Sequence, residues 1–200
     1  MSLTVEKCLQ AWSNSLKQMN AKADIVFFGD SLTYYGDFSS VFPDKVVCNL
    51  GLRGDTIQGM IDRVEQVKIL EPKMVFLMAG INDLSTCSRT QFKANYEALI
   101  QEILDLVPTV RLFIQSILPV NDKAFPISCN NDMIIEYNSE IINITKHYGL
   151  NYLDLYSIYE EEGVLALDNT LDGLHLKSQS YEKWYDELKK YSIIFDTLYS

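Results

Sequence analysis

Three side chains of this sequence have the chemical types that nucleophilic acyl transfer requires. Ser31 follows a short apolar stretch at positions 25–28. Asp172 and His175 stand three positions apart near the other end of the chain. A serine attacks an acyl carbon when a histidine takes its proton, and an aspartate orients that imidazole and stabilises its cation. Taken alone, Ser31 could equally be a helix cap, so its role depends on what the fold places beside it.

The elements that must position these side chains are buried strands that alternate with helices. Apolar stretches rich in β-branched and aromatic residues predict strands at 25–28, 45–50, 74–79, 110–118 and 151–155. These stretches are apolar throughout instead of alternating, so both faces of the sheet must be covered. We therefore predict a three-layer α/β/α sandwich with a five-stranded, parallel, flavodoxin-like sheet in a single domain, residues 1–200. The order 2-1-3-4-5 fits such a sheet, although one sequence does not determine it.

Apolar residues at helical spacing predict the helices between these strands. The stripes run over residues 5–19, 57–67, 92–107, 134–148 and 181–195. Asp55, followed by Gln58 three positions later, resembles a capping box and predicts the start of the second helix. Thr90 is the predicted cap of the third helix, and Gly149 is the predicted C-terminal cap of the fourth. The long connection at 119–131 is of a length that favours a functional loop.

Polar segments follow four of the predicted strands. In a parallel sheet the carboxyl ends of the strands meet at one edge, where ligands bind. The segments are Gly29-Asp30-Ser31-Leu32-Thr33, residues 49–56, Gly80-Ile81-Asn82-Asp83 and Leu171-Asp172-Gly173-Leu174-His175. Together they would supply a serine, an Asp/His pair, glycine N–H groups and an asparagine amide. Amide donors of this kind can hold the oxyanion of an acyl-transfer intermediate.

These segments resemble the four sequence blocks of the SGNH (GDSL) hydrolase family, in the right order. Gly-Asp-Ser-Leu at 29–32 is the first block, and Gly54 in Arg-Gly-Asp-Thr at 53–56 matches the second. Gly-x-Asn-Asp at 80–83 matches the third, and Asp-x-x-His at 172–175 the last. The second block is particularly similar to the branch with platelet-activating-factor acetylhydrolase catalytic subunits and bacterial carbohydrate acetylesterases. Thr33 stands where the α/β-hydrolase elbow Gly-x-Ser-x-Gly has its second glycine, which favours the SGNH class.

The resemblance implies a role for each matching residue. Ser31 would be the nucleophile, His175 the general base and Asp172 its orienting carboxylate. The oxyanion hole would be formed by the backbone N–H groups of Ser31 and Gly54 and by the side-chain amide of Asn82. The resemblance further implies a serine esterase without cofactor or metal that acts on small, chiefly acetyl, esters, with lysophospholipase or thioesterase activity as the alternative. The oligomeric state stays open, a homo-oligomer included.

The composition argues against several other classes of protein. The 200 residues are 48% hydrophobic and 22% charged, which is ordinary for a globular protein. The net charge of −10 argues against attraction to nucleic acid or to an anionic membrane surface. The sequence contains no stretch of about 18 apolar residues, the length needed to span a membrane. Residues 1–20 lack the apolar core of a signal peptide, so we expect a cytoplasmic protein unless a leader was removed. Cys8, Cys48, Cys87 and Cys129 lack metal-ligand spacing and are expected to be reduced, with Cys48 buried.

Two other classes compete with the esterase. A flavodoxin-like module that binds a nucleotide or a flavin would share the fold, but the sequence lacks Gly-x-Gly-x-x-Gly and the P-loop pattern. A metal-dependent hydrolase would need more than His147 and His175, which stand 28 positions apart. We interpret His147 as structural, because it lies near a predicted helix C-terminus, where the dipole favours a cation.

Several residues near the predicted site have open or secondary roles. Asp30 and Asp83 are interpreted as hydrogen-bond acceptors that hold loops. Arg53 stands beside Gly54 and either forms a surface ion pair, the favoured interpretation, or meets an anionic group of the substrate. Tyr34 and Tyr35 either wall the acyl pocket or pack under the loop that follows them.

Overall fold

A five-stranded parallel sheet forms the centre of the protein. The computed structural model describes the backbone of residues 3–199 and the side chains of residue 7 and residues 10–191. The strands of the sheet are β1 (Ile25–Gly29), β2 (Val47–Gly51), β3 (Met74–Met78), β4 (Arg111–Gln115) and β5 (Asn151–Leu153). They lie in the order β2-β1-β3-β4-β5, and each neighbouring pair is parallel. The predicted fold class and the flavodoxin-like order are therefore confirmed.

Helices connect the strands and cover both faces of the sheet. Within the described residues they are α1 (Leu3–Gln18), α2 (Ser31–Tyr34), α3 (Ile57–Asp62), α4 (Glu65–Leu70), α5 (Arg89–Leu106), α6 (Asn131–His147), α7 (Tyr156–Tyr159) and α8 (Tyr181–Tyr199). A small hairpin, β6 (Glu160–Glu161) and β7 (Val164–Leu165), follows α7. Parts of the first and last predicted stripes, including Val5 and Phe195, and the Cys8 thiol lie outside the described side chains.

Two separate apolar clusters bury the two faces of the sheet. On one face, strand side chains such as Leu77 pack with residues of α3, α4, α5 and α6. On the other face, Phe76 stacks between Phe27 and Phe113, with ring centroids 4.9 and 4.8 Å away. Trp184 of α8 packs in this second cluster. Successive side chains of a strand point to opposite faces, so a strand that is buried on both sides must be apolar throughout, as these are.

The predicted helix over residues 57–67 is interrupted. The backbone leaves the helical conformation at Arg63, which separates α3 from α4. Thr56 caps α3, because its Oγ1 accepts a hydrogen bond from the Gly59 N–H at 3.1 Å. The predicted capping role of Asp55 was wrong, since its carboxylate accepts from Arg63 Nε at 2.7 Å instead.

The other predictions about helix caps and cysteines were partly right. Ser88, and not Thr90, caps α5, and its Oγ accepts from the Gln91 N–H at 3.3 Å. Gly149 follows α6 as predicted, and its N–H donates to the Lys146 carbonyl at 3.2 Å. Cys48, Cys87 and Cys129 are free thiols, and Cys48 is half-buried where full burial was predicted. None of the helices within residues 3–199 has the length and apolar content needed to cross a lipid bilayer.

Candidate active site

Strand β1 delivers Ser31 to the carboxyl edge of the sheet. Asp30 is the N-cap of α2, and its Oδ1 accepts a hydrogen bond from the Leu32 N–H at 2.9 Å. Ser31 is therefore the first residue of a short helix and not its cap, which removes the alternative role for this serine. The first N–H groups of a helix have no acceptor within it. No described residue accepts from the Ser31 N–H, so that donor stays available.

Two side chains that the sequence did not single out anchor α2. Asn49 Nδ2 donates to the carbonyls of Thr33 at 2.8 Å and Gly36 at 2.9 Å. Tyr181 donates its hydroxyl hydrogen to the Leu32 carbonyl at 2.7 Å. These contacts satisfy carbonyls at the end of a helix too short to satisfy them itself. Asn49 belongs to residues 49–56, a segment that the sequence places at the site. Its position in the sequence gives no indication of the carbonyls to which its amide would donate hydrogen bonds.

The structure brings the three predicted triad residues together. His175 Nε2 lies 2.9 Å from Ser31 Oγ, although the two residues are 144 positions apart in the chain. His175 Nδ1 lies 2.7 Å from Asp172 Oδ2. One imidazole therefore links a carboxylate on one side to a serine hydroxyl on the other. This is the hydrogen-bonded arrangement in which a histidine can withdraw the serine proton.

The Asp172 carboxylate is held in place by its own loop. Its Oδ1 accepts hydrogen bonds from the backbone N–H groups of Leu174 at 3.0 Å and His175 at 2.8 Å. Partial burial acts to raise the pKa of Asp172, but the hydrogen bonds from the His175 ring and from these two N–H groups outweigh it and hold the pKa below its usual value. The carboxylate is thus kept ionised while its second oxygen faces the imidazole.

The loop that carries Asp172 and His175 is fixed from below. Thr170 Oγ1 donates to the His175 carbonyl at 2.7 Å and accepts from the Gly173 N–H at 3.0 Å. Gly173 has a φ of +86°, and a Cβ there would come within 2.7 Å of Ile127 and 2.8 Å of Phe125. Only glycine suits both the backbone angle and the close approach. The long predicted loop, which contains Phe125 and Ile127, therefore supports the site by packing beneath it.

The predicted oxyanion donors line one open crevice of about 460 Å³. The lining residues are Ser31, Arg53, Gly54, Asn82, Leu174 and His175. Gly54 has a φ of +72°, which glycine adopts readily, and its N–H has no acceptor among the described residues. Asn82 Nδ2 donates one hydrogen bond, to the Asp55 carbonyl at 2.8 Å. A primary amide has two N–H groups, so the second remains available for a ligand in the crevice.

The sequence around these residues matches a known family. The model of the GDSL-like Lipase/Acylhydrolase family matches residues 27–183, which include all the residues of the crevice. The chain belongs to the GDSL-like lipase/acylhydrolase family. It is accordingly a carboxylic ester hydrolase. This confirms the predicted enzyme and excludes the alternative of a flavodoxin-like binding module. No curated protein matches the sequence significantly.

Solved structures similar to this GDSL-like hydrolase share its fold. A protein from Streptococcus pneumonia described as a candidate platelet activating factor has a TM-score of 0.79 at 23% identity, over 96% of this chain and 100% of that one. The lipase/acylhydrolase from Enterococcus faecalis has a TM-score of 0.71 at 24% identity, over 86% and 95%. An acetyl xylan esterase has a TM-score of 0.67 at 19% identity, over 85% and 98%. At such low identities these likenesses show the fold alone.

A buried ion pair between Arg63 and Asp55 contacts segments that carry residues of the crevice. Arg63 is 2% exposed, and besides its contact with Asp55 its Nη2 donates to the Gly29 carbonyl at 3.1 Å. Its guanidinium carbon lies 4.4 Å from the centroid of the Phe28 ring. Asp55 in turn offers its carbonyl to Asn82. Arg63 therefore connects the end of β1 to the segment that holds Asn82, and removing one partner of such a pair typically costs about 3–5 kcal/mol.

Two buried carboxyl groups of the hydrolase fix neighbouring loops, as predicted. Asp30 accepts from Leu32, and Asp83 accepts from the Ile57 N–H at 3.1 Å, which joins the third segment to the start of α3. Burial, helped by the negative charges of Asp55 and Asp83, raises the pKa of Asp30 to about 7. Burial also raises the pKa of Asp83 to about 6, with a further contribution from Asp55. Both carboxyls hold protons more tightly in the folded chain.

We expect these protons to make the hydrolase less stable as the pH rises. Asp30 has an ordinary pKa of 3.8 and a folded pKa of about 7, so the folded state binds more protons than the unfolded state between these values. The free energy of unfolding then falls as the pH rises through this window. The melting temperature should fall from pH 5 to pH 8, and Asp30→Asn should flatten that slope because asparagine keeps the Oδ1 acceptor without titrating.

The matched control for this prediction is Asp44→Asn, which removes the same charge from an exposed position. Melting temperatures of the three proteins are compared between about pH 5 and pH 8 by differential scanning calorimetry. The slope of melting temperature against pH should be the same in Asp44→Asn as in the wild type, because Asp30 is unchanged in that variant. An Asp30→Asn slope as steep as that of Asp44→Asn would show that Asp30 does not titrate in this range.

Tyr34 and Tyr35 form an aromatic pair that contacts two residues of the crevice, Arg53 and His175, through Tyr35. Tyr34 and Tyr35 are about half exposed, at 51% and 47%, and their rings meet edge to face at 5.1 Å. The Tyr35 ring meets the His175 ring in the same way, at 5.7 Å. Arg53 is exposed and makes no ion pair with any described residue, so the favoured surface ion pair was wrong. Tyr35 is not among the six residues that line the crevice, but it contacts two of them, Arg53 and His175.

His147, the second histidine, lies outside the crevice. It is the last residue of α6, is exposed, and meets the Tyr148 ring edge to face at 5.3 Å. Its position at the helix C-terminus agrees with the structural role that the sequence indicates. In the part of the chain that the structure describes, no three His, Cys, Asp or Glu side chains are grouped as ligands for a metal ion.

Proposed function

We propose that this hydrolase cleaves small carboxylic esters, chiefly acetyl esters, and that Ser31, His175 and Asp172 carry out the reaction through an acyl-enzyme. The observation that carries the proposal is the unbroken chain of hydrogen bonds from Asp172 through His175 to Ser31 Oγ, at 2.7 and 2.9 Å. Such a chain activates a serine that is otherwise a weak nucleophile at neutral pH.

Acylation begins when Ser31 Oγ attacks the carbonyl carbon of the ester. The hydroxyl proton moves to His175 Nε2, and the carbonyl electrons move onto the oxygen, which becomes an oxyanion. Asp172 accepts a hydrogen bond from the Nδ1–H of His175 and stabilises the imidazolium that results. When the tetrahedral intermediate collapses, the bond to the alcohol oxygen breaks and His175 gives that oxygen the proton. The acyl group then remains on Ser31 as an ester.

Deacylation repeats these steps with water as the nucleophile. His175 takes a proton from the water as its oxygen attacks the acyl carbon, and returns that proton to Ser31 Oγ when the acid leaves. In both halves we assign the oxyanion to the N–H groups of Ser31 and Gly54 and to the free N–H of Asn82. Donors that already stand in place stabilise the developing charge without reorganising during the reaction.

The shape of the crevice supports a small acyl group. Leu174 is the one aliphatic side chain among its six lining residues. A long acyl chain gains binding energy only where an apolar groove removes its methylene groups from water, at about 0.8 kcal/mol for each. The resemblance of residues 53–56 to the second block of acetylesterases also favours an acetyl group. Lysophospholipids and thioesters are the alternative substrates.

We expect kcat/KM to fall as the acyl chain of para-nitrophenyl esters lengthens. Acetyl should be preferred over decanoyl by about tenfold or more, since ordering the longer chain costs entropy and the crevice offers no additional apolar contact to offset that cost. Initial rates are measured below the micelle-forming concentration of each ester, after subtraction of spontaneous hydrolysis. A rise in kcat/KM from acetyl to decanoyl would contradict the acetyl preference. Faster turnover of a lysophospholipid or of an acetyl thioester would favour the corresponding alternative.

We expect Asn82→Ala to lower kcat by roughly 10² to 10³, with little change in KM. Loss of one oxyanion donor typically costs about 2.7–4 kcal/mol in the transition state. The neutral carbonyl of the bound ester gains less from the same donor, so KM changes little. Stability should fall by about 1 kcal/mol, because the hydrogen bond to the Asp55 carbonyl is also lost.

The control for this variant is Asn151→Ala, an exposed asparagine at the start of β5, at the opposite edge of the sheet. Steady-state kinetics with para-nitrophenyl acetate and thermal melts are recorded for both variants. An unchanged kcat in Asn82→Ala would mean that Asn82 only holds its loop. A normal kcat with a raised KM would instead assign it to binding of the alcohol part.

A further inference from the structure

We propose that Arg53 binds an anionic group, a carboxylate or a phosphate, on the alcohol part of the ester. The preferred substrates of this hydrolase would then be acyl esters of negatively charged alcohols. The inference rests on the proposed ester hydrolysis at Ser31 and adds the charge class of the substrate. It is carried by the position of Arg53 in the crevice, its lack of an ion pair and its contact with Tyr35.

The Arg53 guanidinium lacks the partner that a surface arginine of such an acidic protein would easily find. The chain has 27 acidic and 17 basic residues, and several exposed cations, such as Lys17 and Arg89, pair with glutamates. Arg53 is exposed and forms no ion pair with any described side chain. It lines the crevice together with Ser31 and His175, and none of the six lining residues is acidic. No side chain that lines the crevice therefore neutralises the positive charge of Arg53.

Tyr35 holds this cation beside the reacting groups. The guanidinium carbon of Arg53 lies over the Tyr35 ring, 5.7 Å from its centroid. The edge-to-face contact of Tyr35 with the His175 ring has the same centroid distance, 5.7 Å. A guanidinium that rests on an aromatic ring keeps the N–H groups at its edge free, and their fork geometry matches a carboxylate or phosphate. The aromatic contact thus orients the cation without occupying its donors.

The same contact indicates which part of the ester carries the anion. In the proposed reaction His175 gives its proton to the alcohol oxygen, so the alcohol part leaves on the side of the imidazole. Tyr35 joins Arg53 to that imidazole, which places the positive charge on the side of the leaving alcohol. Arg53 could bind an anionic group on the acyl part of the ester in the same way, and esters charged on one part or the other distinguish the two arrangements.

The test compares matched esters in four proteins: the wild type, Arg53→Gln, Arg53→Lys and the control Arg111→Gln. Arg111 is an exposed arginine at the start of β4, at the edge of the sheet opposite the crevice. Para-acetoxybenzoate carries its charge on the alcohol part, and para-acetoxybenzamide is its neutral counterpart. Para-nitrophenyl hemisuccinate and para-nitrophenyl butanoate form the corresponding pair for the acyl part. Each kcat/KM is divided by the spontaneous hydrolysis rate of the same ester.

The measured quantity is the ratio of anionic to neutral kcat/KM within each pair. In the wild type the acetoxybenzoate ratio should exceed one and should fall as salt is added. Arg53→Gln should lower it about tenfold, chiefly through KM, the size expected when one charge-assisted hydrogen bond is lost. Arg53→Lys should retain part of the preference, because it keeps the charge and loses the planar fork. Arg111→Gln should keep the wild-type ratio.

Three outcomes contradict the inference. A wild-type enzyme that favours the neutral acetoxybenzamide, or an Arg53→Gln enzyme with the wild-type ratio, would leave Arg53 as a side chain that merely packs on Tyr35. A ratio that falls only for the hemisuccinate pair would contradict binding of the alcohol part and would move the anion to the acyl part. None of these results affects the proposed function, which is tested by neutral esters and by Ser31→Ala.

Discussion

Replacing Ser31 with alanine is expected to abolish ester hydrolysis while leaving the fold intact. The substitution removes only Oγ, whose partner among the described residues is His175 Nε2. Without that atom no acyl-enzyme can form, and loss of the nucleophile should lower kcat by about 10⁴ to 10⁶. The caps and anchors of α2 come from Asp30, Asn49 and Tyr181, so the helix should keep its position.

The measurement is the initial rate on para-nitrophenyl acetate, together with a thermal melt. Ser178→Ala is the matched control, since Ser178 is an exposed serine in the short turn before α8. The control should keep wild-type activity, and both variants should melt close to the wild type. Near-normal hydrolysis by a folded Ser31→Ala protein would exclude Ser31 as the nucleophile.

The second large effect is expected at Asp172. In Asp172→Asn, the two backbone N–H groups that now bind Oδ1 should keep the amide oxygen at that position. The amide NH₂ would then face His175 Nδ1 and donate to it, which forces the imidazole proton onto Nε2. An imidazole in that tautomer cannot take the proton of Ser31, so kcat should fall by about 10³ to 10⁴. The loss should stay below that of Ser31→Ala, because the attacking atom is still present.

The tautomer itself can be measured. The chain has two histidines, so the ring nitrogens of isotope-labelled histidine are assigned by NMR with exposed His147 as the internal reference. The proton should reside on Nδ1 of His175 in the wild type and on Nε2 in Asp172→Asn. Asp168→Asn, an exposed aspartate in the same loop, should leave both the tautomer and kcat as they are. A loss at Asp172 equal to or greater than that at Ser31 would point to another role for this carboxylate.

The fold was predictable because a strand that is buried on both faces is apolar at nearly every position, a pattern that the sequence shows directly. The apolar stretches predict the positions of all five strands of the central sheet to within a few residues, and their strand order follows the predicted one. The break at Arg63 was not predictable, because apolar spacing continues through it. Arg63, at the break, forms a buried ion pair with Asp55, and the periodicity of apolar residues gives no indication of such a contact.

The candidate triad could be predicted from the sequence, whereas the residues that support it could not. Ser31, Asp172 and His175 were predicted because they match blocks of the family, their chemical types suit acyl transfer and a parallel sheet gathers the ends of its strands at one edge. Asn49 and Arg63 act on backbone carbonyls from other segments, and a carbonyl looks the same at every position of a sequence. Such partners emerge only when the packing of the segments is known.

The most direct test of the central claim is to trap the acyl group on the enzyme. The hydrolase is mixed with para-nitrophenyl acetate, quenched with acid within one turnover, and digested for mass spectrometry. The proposed reaction predicts the added mass of one acetyl group on the peptide that contains Ser31, more of it in Asn82→Ala if deacylation is slowed, and none in Ser31→Ala. An acetyl group that forms and is lost at the turnover rate on another residue, with Ser31 unmodified, would contradict catalysis through Ser31.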